Sequence, residues 1–218
     1  MIGNDVFCDL PAKPIGKELE RITPPHKCSA AAAATPNDSR HFVVVGAGPA
    51  ALAAAETWRA EGFTGRITLL NKEPGLPYDR TKLSKDMSAD RASCEIRPRA
   101  WFTDAKVTLR EKSEVYAVKS AEKRVVLSTG EEIPYDSLLC ASGGPARTFR
   151  QDANEGFFTP GADLGNIFVL RTVEQSLEAE AAIEAVVKSG GAIVIIGTSF
   201  IGMEAAAYIM TNKGGSVT

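Results

Sequence analysis

The chain has 218 residues, a hydrophobic fraction of 44%, a charged fraction of 24% and a formal net charge of -2. That is enough apolar material for a globular core, and the balanced charge with no basic patch argues against a nucleic-acid partner. No apolar run reaches the roughly 18 residues that cross a bilayer, and the N-terminus lacks a charged region followed by an apolar one, so no secretory signal is expected. The four cysteines, Cys8, Cys28, Cys94 and Cys140, are far apart. With only His26 and His41 as histidines, no metal-ligand spacing exists, and a reducing compartment fits the thiols best.

Residues 1–39 hold Pro14, Pro24, Pro25, Pro36 and the run Ala30 to Ala34 without helical or strand periodicity, and read as an arm or linker. Regular structure is expected from Phe42. Val43, Val44 and Val45 form a continuous apolar run suited to a parallel strand buried on both faces. An alanine-rich helix over roughly Pro49 to Glu61 follows and ends near Gly62. "RITLLN" (Arg66 to Asn71) is the next strand, and a long loop, Lys72 to Lys85, comes after it. Loops of that length are usually functional. "RPRAWFTDA" gives a short helix. "KVTLRE", "EVYAVKS", "KRVVLST" and "EEIPYDSLLCAS" read as short strands, with three or four antiparallel ones inserted before "SLLCAS" returns to the parallel sheet.

Further on, "IFVL" (Ile167 to Leu170) reads as a strand. Thr172 to Gly190 is the cleanest helix, with Thr172 as its cap and Gly190 as its stop. "AIVIIG", a second glycine turn and a helix to about Asn212 follow, and "GSVT" opens one more strand. The fold class is therefore α/β, with a Rossmann-like parallel sheet carrying an antiparallel insertion, followed by the first part of a second such module. The expected units are an arm at 1–39, a first nucleotide-binding domain at 40–160 and the start of a second at 161–218.

The two turns carry the chemistry. The first is G-x-G-x-x-A, formed by Gly46, Gly48 and Ala51. One glycine makes the tight turn, the next lets a pyrophosphate approach the backbone, and a small third residue lets helix and strand pack closely. The helix N-terminus adds free N–H groups and partial positive charge. An acid is due about 20 residues on, at the end of the next strand, and Glu73 is 22 positions after Ala51. The second turn is G-x-S-x-x-G, formed by Gly197, Ser199 and Gly202, with serine in the middle position. Its matching acid would fall near position 224, so the sequence is expected to stop inside its second module. Two modules imply two dinucleotides, a resident flavin and an exchanging nicotinamide.

At this point the residues resemble a known family. "VVVGAGPAALAAAETWRAEGFTGRITLLNKEPGLPYDRTKLSK" is similar to the FAD-binding start of the two-dinucleotide flavoprotein reductases, in the branch of apoptosis-inducing factor and the ferredoxin, rubredoxin and putidaredoxin reductases. "PYDRTKLSK", "LLCASGGPAR" and "IGTSFIGMEAAA" match further motifs of that branch. The resemblance implies that Gly46, Ala47, Gly48, Pro49, Ala50 and Ala51 cradle the FAD pyrophosphate, and that Glu73 with Lys72 meets the adenosine ribose. It places Arg80 and Lys85 beside the pyrophosphate and isoalloxazine, Val115 at the adenine, Ser142 and Gly143 along the cofactor, and Arg147 near the flavin. Gly197, Thr198, Ser199, Phe200, Ile201 and Gly202 would take the NAD(P)H pyrophosphate. Lys85 and Glu204 would form an ion pair near flavin N5 and are the candidate catalytic residues.

The implied reaction passes a hydride from NAD(P)H to flavin N5 and sends electrons on to a protein carrier, such as an iron-sulfur protein, or to a quinone-like acceptor. No metal site is implied. The implied setting is the cytoplasm, with the mitochondrion as an alternative. Two departures matter. The C-x4-C pair of the disulfide reductases is absent, which argues against thiol–disulfide exchange, and Rieske-type C-x-H spacings are missing. The alternative from another class is an inactive nucleotide-binding fragment or a redox-sensing interaction protein. By itself the chain is expected to hold little flavin and to show no turnover. The acceptor (monodehydroascorbate and nitrite included), the choice between NADH and NADPH, and the oligomeric state stay open on sequence alone.

Overall fold

The computed structural model describes residues 38–148, 159–162 and 164–218. The expected arm at 1–39 lies almost entirely outside them.

Strand β1 (His41–Val45) runs into helix α1 (Pro49–Ala60) through the first glycine turn and returns as β2 (Arg66–Leu70). Pro49 opens the helix, where its missing N–H costs nothing. Gly62, at φ +83°, follows its end. A single 3-10 turn (Arg80–Lys82) and helices α2 (Arg91–Cys94) and α3 (Arg99–Asp104) occupy the stretch before β3 (Val107–Arg110). Strands β4 (Val115–Lys119), β5 (Arg124–Leu127), β6 (Glu132–Pro134) and β7 (Ser137–Cys140) follow.

The main sheet has the order β3-β2-β1-β7, and every pairing in it is parallel. β4, β5 and β6 form a separate antiparallel sheet in sequence order. "KVTLRE", grouped in sequence with the antiparallel strands, thus belongs to the parallel sheet. It follows a helix, α3, and a strand–helix–strand connection returns the chain parallel to its neighbour. The inserted antiparallel strands are three.

Side chains of the parallel strands alternate between two cores. Val44, Ile67 and Leu69 pack with Ala51, Leu52, Ala55 and Phe102 on the helical face. Val43 and Leu70 pack with Val125, Leu127 and Ile133 of the antiparallel sheet on the other. Trp58 closes edge-to-face on Phe42 at 5.0 Å, and Trp101 on Phe102 at the same centroid distance, so both tryptophans are packing residues. His41 is buried, with Nε2 2.8 Å from Thr68 Oγ1.

Helix α4 (Val173–Lys188) begins at a full capping box. Gln175 N–H donates to the Thr172 hydroxyl, and the Gln175 side chain accepts from the Thr172 N–H. Gly190, at φ +71°, follows its end. Helix α5 (Phe200–Tyr208) passes into a π-helical turn (Ile209–Lys213) that stops at left-handed Gly214. Two expected strands are missing, and the one expected to open at Gly215 is reduced to its bridge at Val217. Ile167 to Leu170 has no strand pairing, and Ile193 makes only a single parallel bridge to Val217. A strand exists by virtue of its neighbours, and the described residues supply neither segment with a ladder.

Residues expected to form the second unit, in α4 and α5, pack on the loop after β2. Met87 is buried in a cluster with Ala179, Ile183, Ala205, Tyr208 and Ile209. Ser176, fully buried, donates to the Met87 carbonyl at 3.0 Å. At the α4–α5 interface, buried Glu180 accepts from Tyr208 at 3.0 Å and from Lys213 at 2.5 Å.

Candidate functional site

The two glycine turns share one backbone geometry. Gly46 and Gly197 both sit at φ +106°. Two residues on, Gly48 has φ -70°, ψ -172° and Ser199 has φ -71°, ψ 170°. A Cβ on Gly46 would lie 2.3 Å from the Ala141 carbonyl oxygen, so glycine is what lets the turn pass under the end of β7. Gly48 is different. Its φ suits any residue, and a Cβ there would have no heavy atom within 4 Å. Nothing in the fold itself requires glycine at this position, and the open space above it suits a phosphate drawn against the backbone. At the third position Ala51 is fully buried, and a Cβ on Gly202 would come 2.4 Å from the Gly197 carbonyl oxygen. Ser199 starts α5 without a capping bond from its own hydroxyl. Thr198, Ser199, Phe200 and Ile201 are all exposed, Phe200 by 80%.

Beside the first turn lies a cleft lined by Ala47, Gly48, Asn71, Glu73, Pro77, Tyr78 and Arg80. Pro49 and Ala50 sit exposed at the start of α1 next to it. Glu73 follows β2, and its carboxylate accepts from the Tyr78 hydroxyl at 2.8 Å and pairs with Arg80. Arg91 Nη1 stands 3.5 Å from Oε2, the oxygen that also accepts from Tyr78. Burial by itself would raise the Glu73 carboxyl, but hydrogen bonds from Arg80 and Tyr78, with the charges of Arg80 and Arg91, hold it below the usual carboxylate value. Burial, aided by the bond to Glu73, pushes the Tyr78 phenol up to about 12. Arg80 also donates to the Tyr78 oxygen and to the Arg171 carbonyl, each at 2.6 Å.

Lys85 and Glu204, 119 positions apart in sequence (204 - 85), form an ion pair of 3.0 Å. Glu204 also accepts from the Ser84 hydroxyl at 2.5 Å. That bond, and then Lys85, hold its carboxyl below the usual range. Ser142 follows β7 against the first turn, its Cα lying 3.1 Å from where a Gly46 Cβ would sit, and a Cβ on Gly143 would lie 3.1 Å from Arg171 Nη2. Other sequence candidates stand elsewhere. Lys72 is not a cleft residue and pairs with Glu114 at 2.6 Å. Val115 is half-buried against the core of the antiparallel sheet, and Arg147 is exposed beyond β7.

Three residues of the site, Asn71, Arg91 and Glu174, carried no sequence signal of their own, and Ser84 stands inside the loop motif Pro77 to Lys85. Tyr78 lies inside the loop motif between Glu73 and Arg80, and could have been found there. Among the described residues no group of three or more His, Cys, Asp or Glu side chains could hold a metal ion, and no helix is long and apolar enough to cross a membrane.

A family model described as pyridine nucleotide-disulphide oxidoreductase matches residues 40–218. The chain is 35% identical over 182 residues to apoptosis-inducing factor 3 of Mus musculus, covering 84% of this chain and 28% of that protein. It is 37% identical over 180 residues to rhodocoxin reductase of Rhodococcus erythropolis, covering 81% of this chain and 39% of the relative. A solved ferredoxin reductase from Rhodopseudomonas palustris superposes with a TM-score of 0.69 at 29% identity, over 82% of this chain and 42% of that one. The chain thus spans well under half the length of each of these three. FAD and NAD(P)H are the cofactors of the family, and the first turn, with its open Gly48 and its carboxylate in Glu73, fits the former. A match that runs from the first strand to the last residue, over two turns of one geometry, shows that this chain belongs to the pyridine nucleotide-disulphide oxidoreductase family.

Proposed function

We propose that the chain is the dinucleotide-binding part of an FAD-dependent NAD(P)H oxidoreductase, with a flavin domain at 40–160 and the start of a nicotinamide module at 161–218. The observation that carries this reading is the Lys85–Glu204 ion pair, which joins the loop of the first module to the helix of the second at 3.0 Å. When bound, the flavin accepts hydride from the nicotinamide and hands electrons on singly. The side chains bind and orient. Gly46 to Ala51 and Arg80 receive the FAD pyrophosphate, Glu73 meets the adenosine ribose, and Gly197 to Gly202 receive the second dinucleotide. Lys85 and Glu204 keep a compensated charge pair at the junction of the two turns, where a preorganised field acts without reorganisation. The acceptor fits a ferredoxin-type iron-sulfur protein, the carrier named in the R. palustris relative, and the compartment is the cytoplasm or the mitochondrion.

A second reading, nucleotide binding without turnover, draws on the exposure of Val194 (67%), Ile196 (73%) and Phe200 (80%) around the second turn. One experiment separates the two. The purified chain is loaded with FAD, its bound-flavin spectrum recorded, and NADH or NADPH added anaerobically. Bleaching of the flavin supports the oxidoreductase reading and flavin binding without bleaching supports the second; because little flavin is expected in the chain by itself, the first-turn assignment is refuted when a protein of the relatives' full length also fails to bind FAD.

A further inference from the structure

Arg91 touches the cleft at one remove. It is not among the lining residues, yet it contacts two of them, with Nη1 3.5 Å from Glu73 Oε2 and its guanidinium 4.6 Å from the centre of the Tyr78 ring. Arg80 lies 4.8 Å from the same ring centre, so one buried tyrosine packs against two cations. Arg91 Nη2 donates to Glu174 Oε1 at 2.6 Å, in the first turn of α4. Its side chain is only 19% exposed. Gly75, at φ +77°, leaves it room, because a Cβ there would come 2.9 Å from Arg91 Cδ.

The arrangement solves a problem of charge. Glu73 and Arg80 are each other's principal partners across the cleft wall. If Arg80 turns to an incoming phosphate, a largely buried carboxylate loses its counter-charge, and a buried unpaired charge is costly. A second cation behind the wall removes that conflict.

We propose that Arg91 is a positioning residue of the first dinucleotide site: it holds Glu73 and Tyr78 in place from behind the cleft wall, frees Arg80 for phosphate, and is itself anchored by Glu174 of α4. This rests on the reading of Glu73 as the carboxylate that meets the adenosine ribose. The site so organised is the adenosine half, and the ligand that probes it is any adenosine diphosphate moiety.

The test is binding of FAD and of ADP to the chain, by flavin fluorescence and calorimetry, in wild type, Arg91→Met, Arg91→Lys and Glu73→Gln. Arg91→Met weakens both ligands by about fivefold to tenfold, the scale of one charge-assisted contact in a partly buried setting. Arg91→Lys keeps a charge behind Glu73 but not the fork that also reaches Glu174, and recovers the affinity in part. Wild-type ADP affinity in Arg91→Met, with the loss present in Glu73→Gln, overturns the proposal alone. An equal loss in Arg91→Met and Arg91→Lys also overturns it, since that marks a role independent of charge. Unaltered binding in Glu73→Gln, or no binding by wild type, removes the reading of Glu73 and the proposal with it.

Discussion

Gly46 and Gly48 are two residues apart, but alanine at each position is expected to fail in a different way. At Gly46, φ +106° is outside the range of an L side chain, and holding a residue there costs about 1–3 kcal/mol. The added Cβ would also press to 2.3 Å from the Ala141 carbonyl oxygen, which is backbone and cannot rotate aside. Forcing β1 and β7 apart at that point adds about 1–3 kcal/mol, as overpacking does. The sum, about 2–6 kcal/mol, is a large share of the roughly 5–15 kcal/mol that holds a domain together. At about 2–4 °C per kcal/mol for a chain of this size, Gly46→Ala lowers the melting temperature by on the order of 10 °C. At Gly48 the backbone is extended and the space is empty. Gly48→Ala leaves stability within about 1 kcal/mol of wild type and weakens FAD at least about tenfold, while Gly48→Val abolishes its retention. Circular dichroism melts and flavin fluorescence titrations on the same preparations read both effects. Equal melting losses in the two alanine variants, or FAD affinity unchanged in Gly48→Ala, would refute the reasoning.

In a protein of the relatives' full length, Lys85→Ala and Glu204→Ala each slow flavin reduction by NAD(P)H about tenfold or more while changing FAD affinity less than about threefold, because they act at the junction and not at the phosphates. Stopped-flow traces at wild-type rate in both variants count against that role. Gly202→Ala loosens α5, since its Cβ meets the Gly197 carbonyl oxygen at 2.4 Å, and hydrogen exchange in Phe200–Tyr208 rises at least about tenfold. Acid unfolding has two limbs. Burial, then the Arg66 charge, lower His41 below its ordinary 6.5, so the unfolded chain takes up that proton first and stability declines as pH falls through that range. Glu73 is lowered below 4.5, so its contribution is full above that value and lost as pH falls beneath it. His41→Gln removes the upper limb in urea titrations across pH and leaves the lower one.

The first βαβ unit is legible in the sequence because its three signals agree. Val43 to Val45, the glycine spacing and the alanine-rich run after Pro49 each suit the same local geometry. The α4 cap is legible at Thr172, and Gln175 three residues on completes the box in the structure. Strand direction is not local. Val107–Arg110 looks like the strands that follow it, and only the path through α3 makes it parallel to β2. Ile167 to Leu170 and Ala192 to Ile196 have strand composition, but composition supplies no partner. Within the site, Glu73, Arg80, Lys85 and Glu204 stand in recognisable motifs. Arg91 and Glu174 do not, because what recruits them is the docking of α4 against the loop, a contact between residues 83 positions apart.

The loop after β2 also sets the order in which the molecule can be finished. Its Met87 side chain is part of the core under α4 and α5, and Ser84 bonds to a carboxylate 120 positions later. A chain emerging from the ribosome can close β1, α1 and β2 early, but the loop between Arg80 and Ala89 has no complete environment until α5 has appeared. Such distant closures slow folding and keep apolar surface open meanwhile. They also bind the two units into one transition. Urea should therefore unfold both together, with the fluorescence of Trp58 in the first unit and the helical signal of α4 in the second disappearing along a single curve.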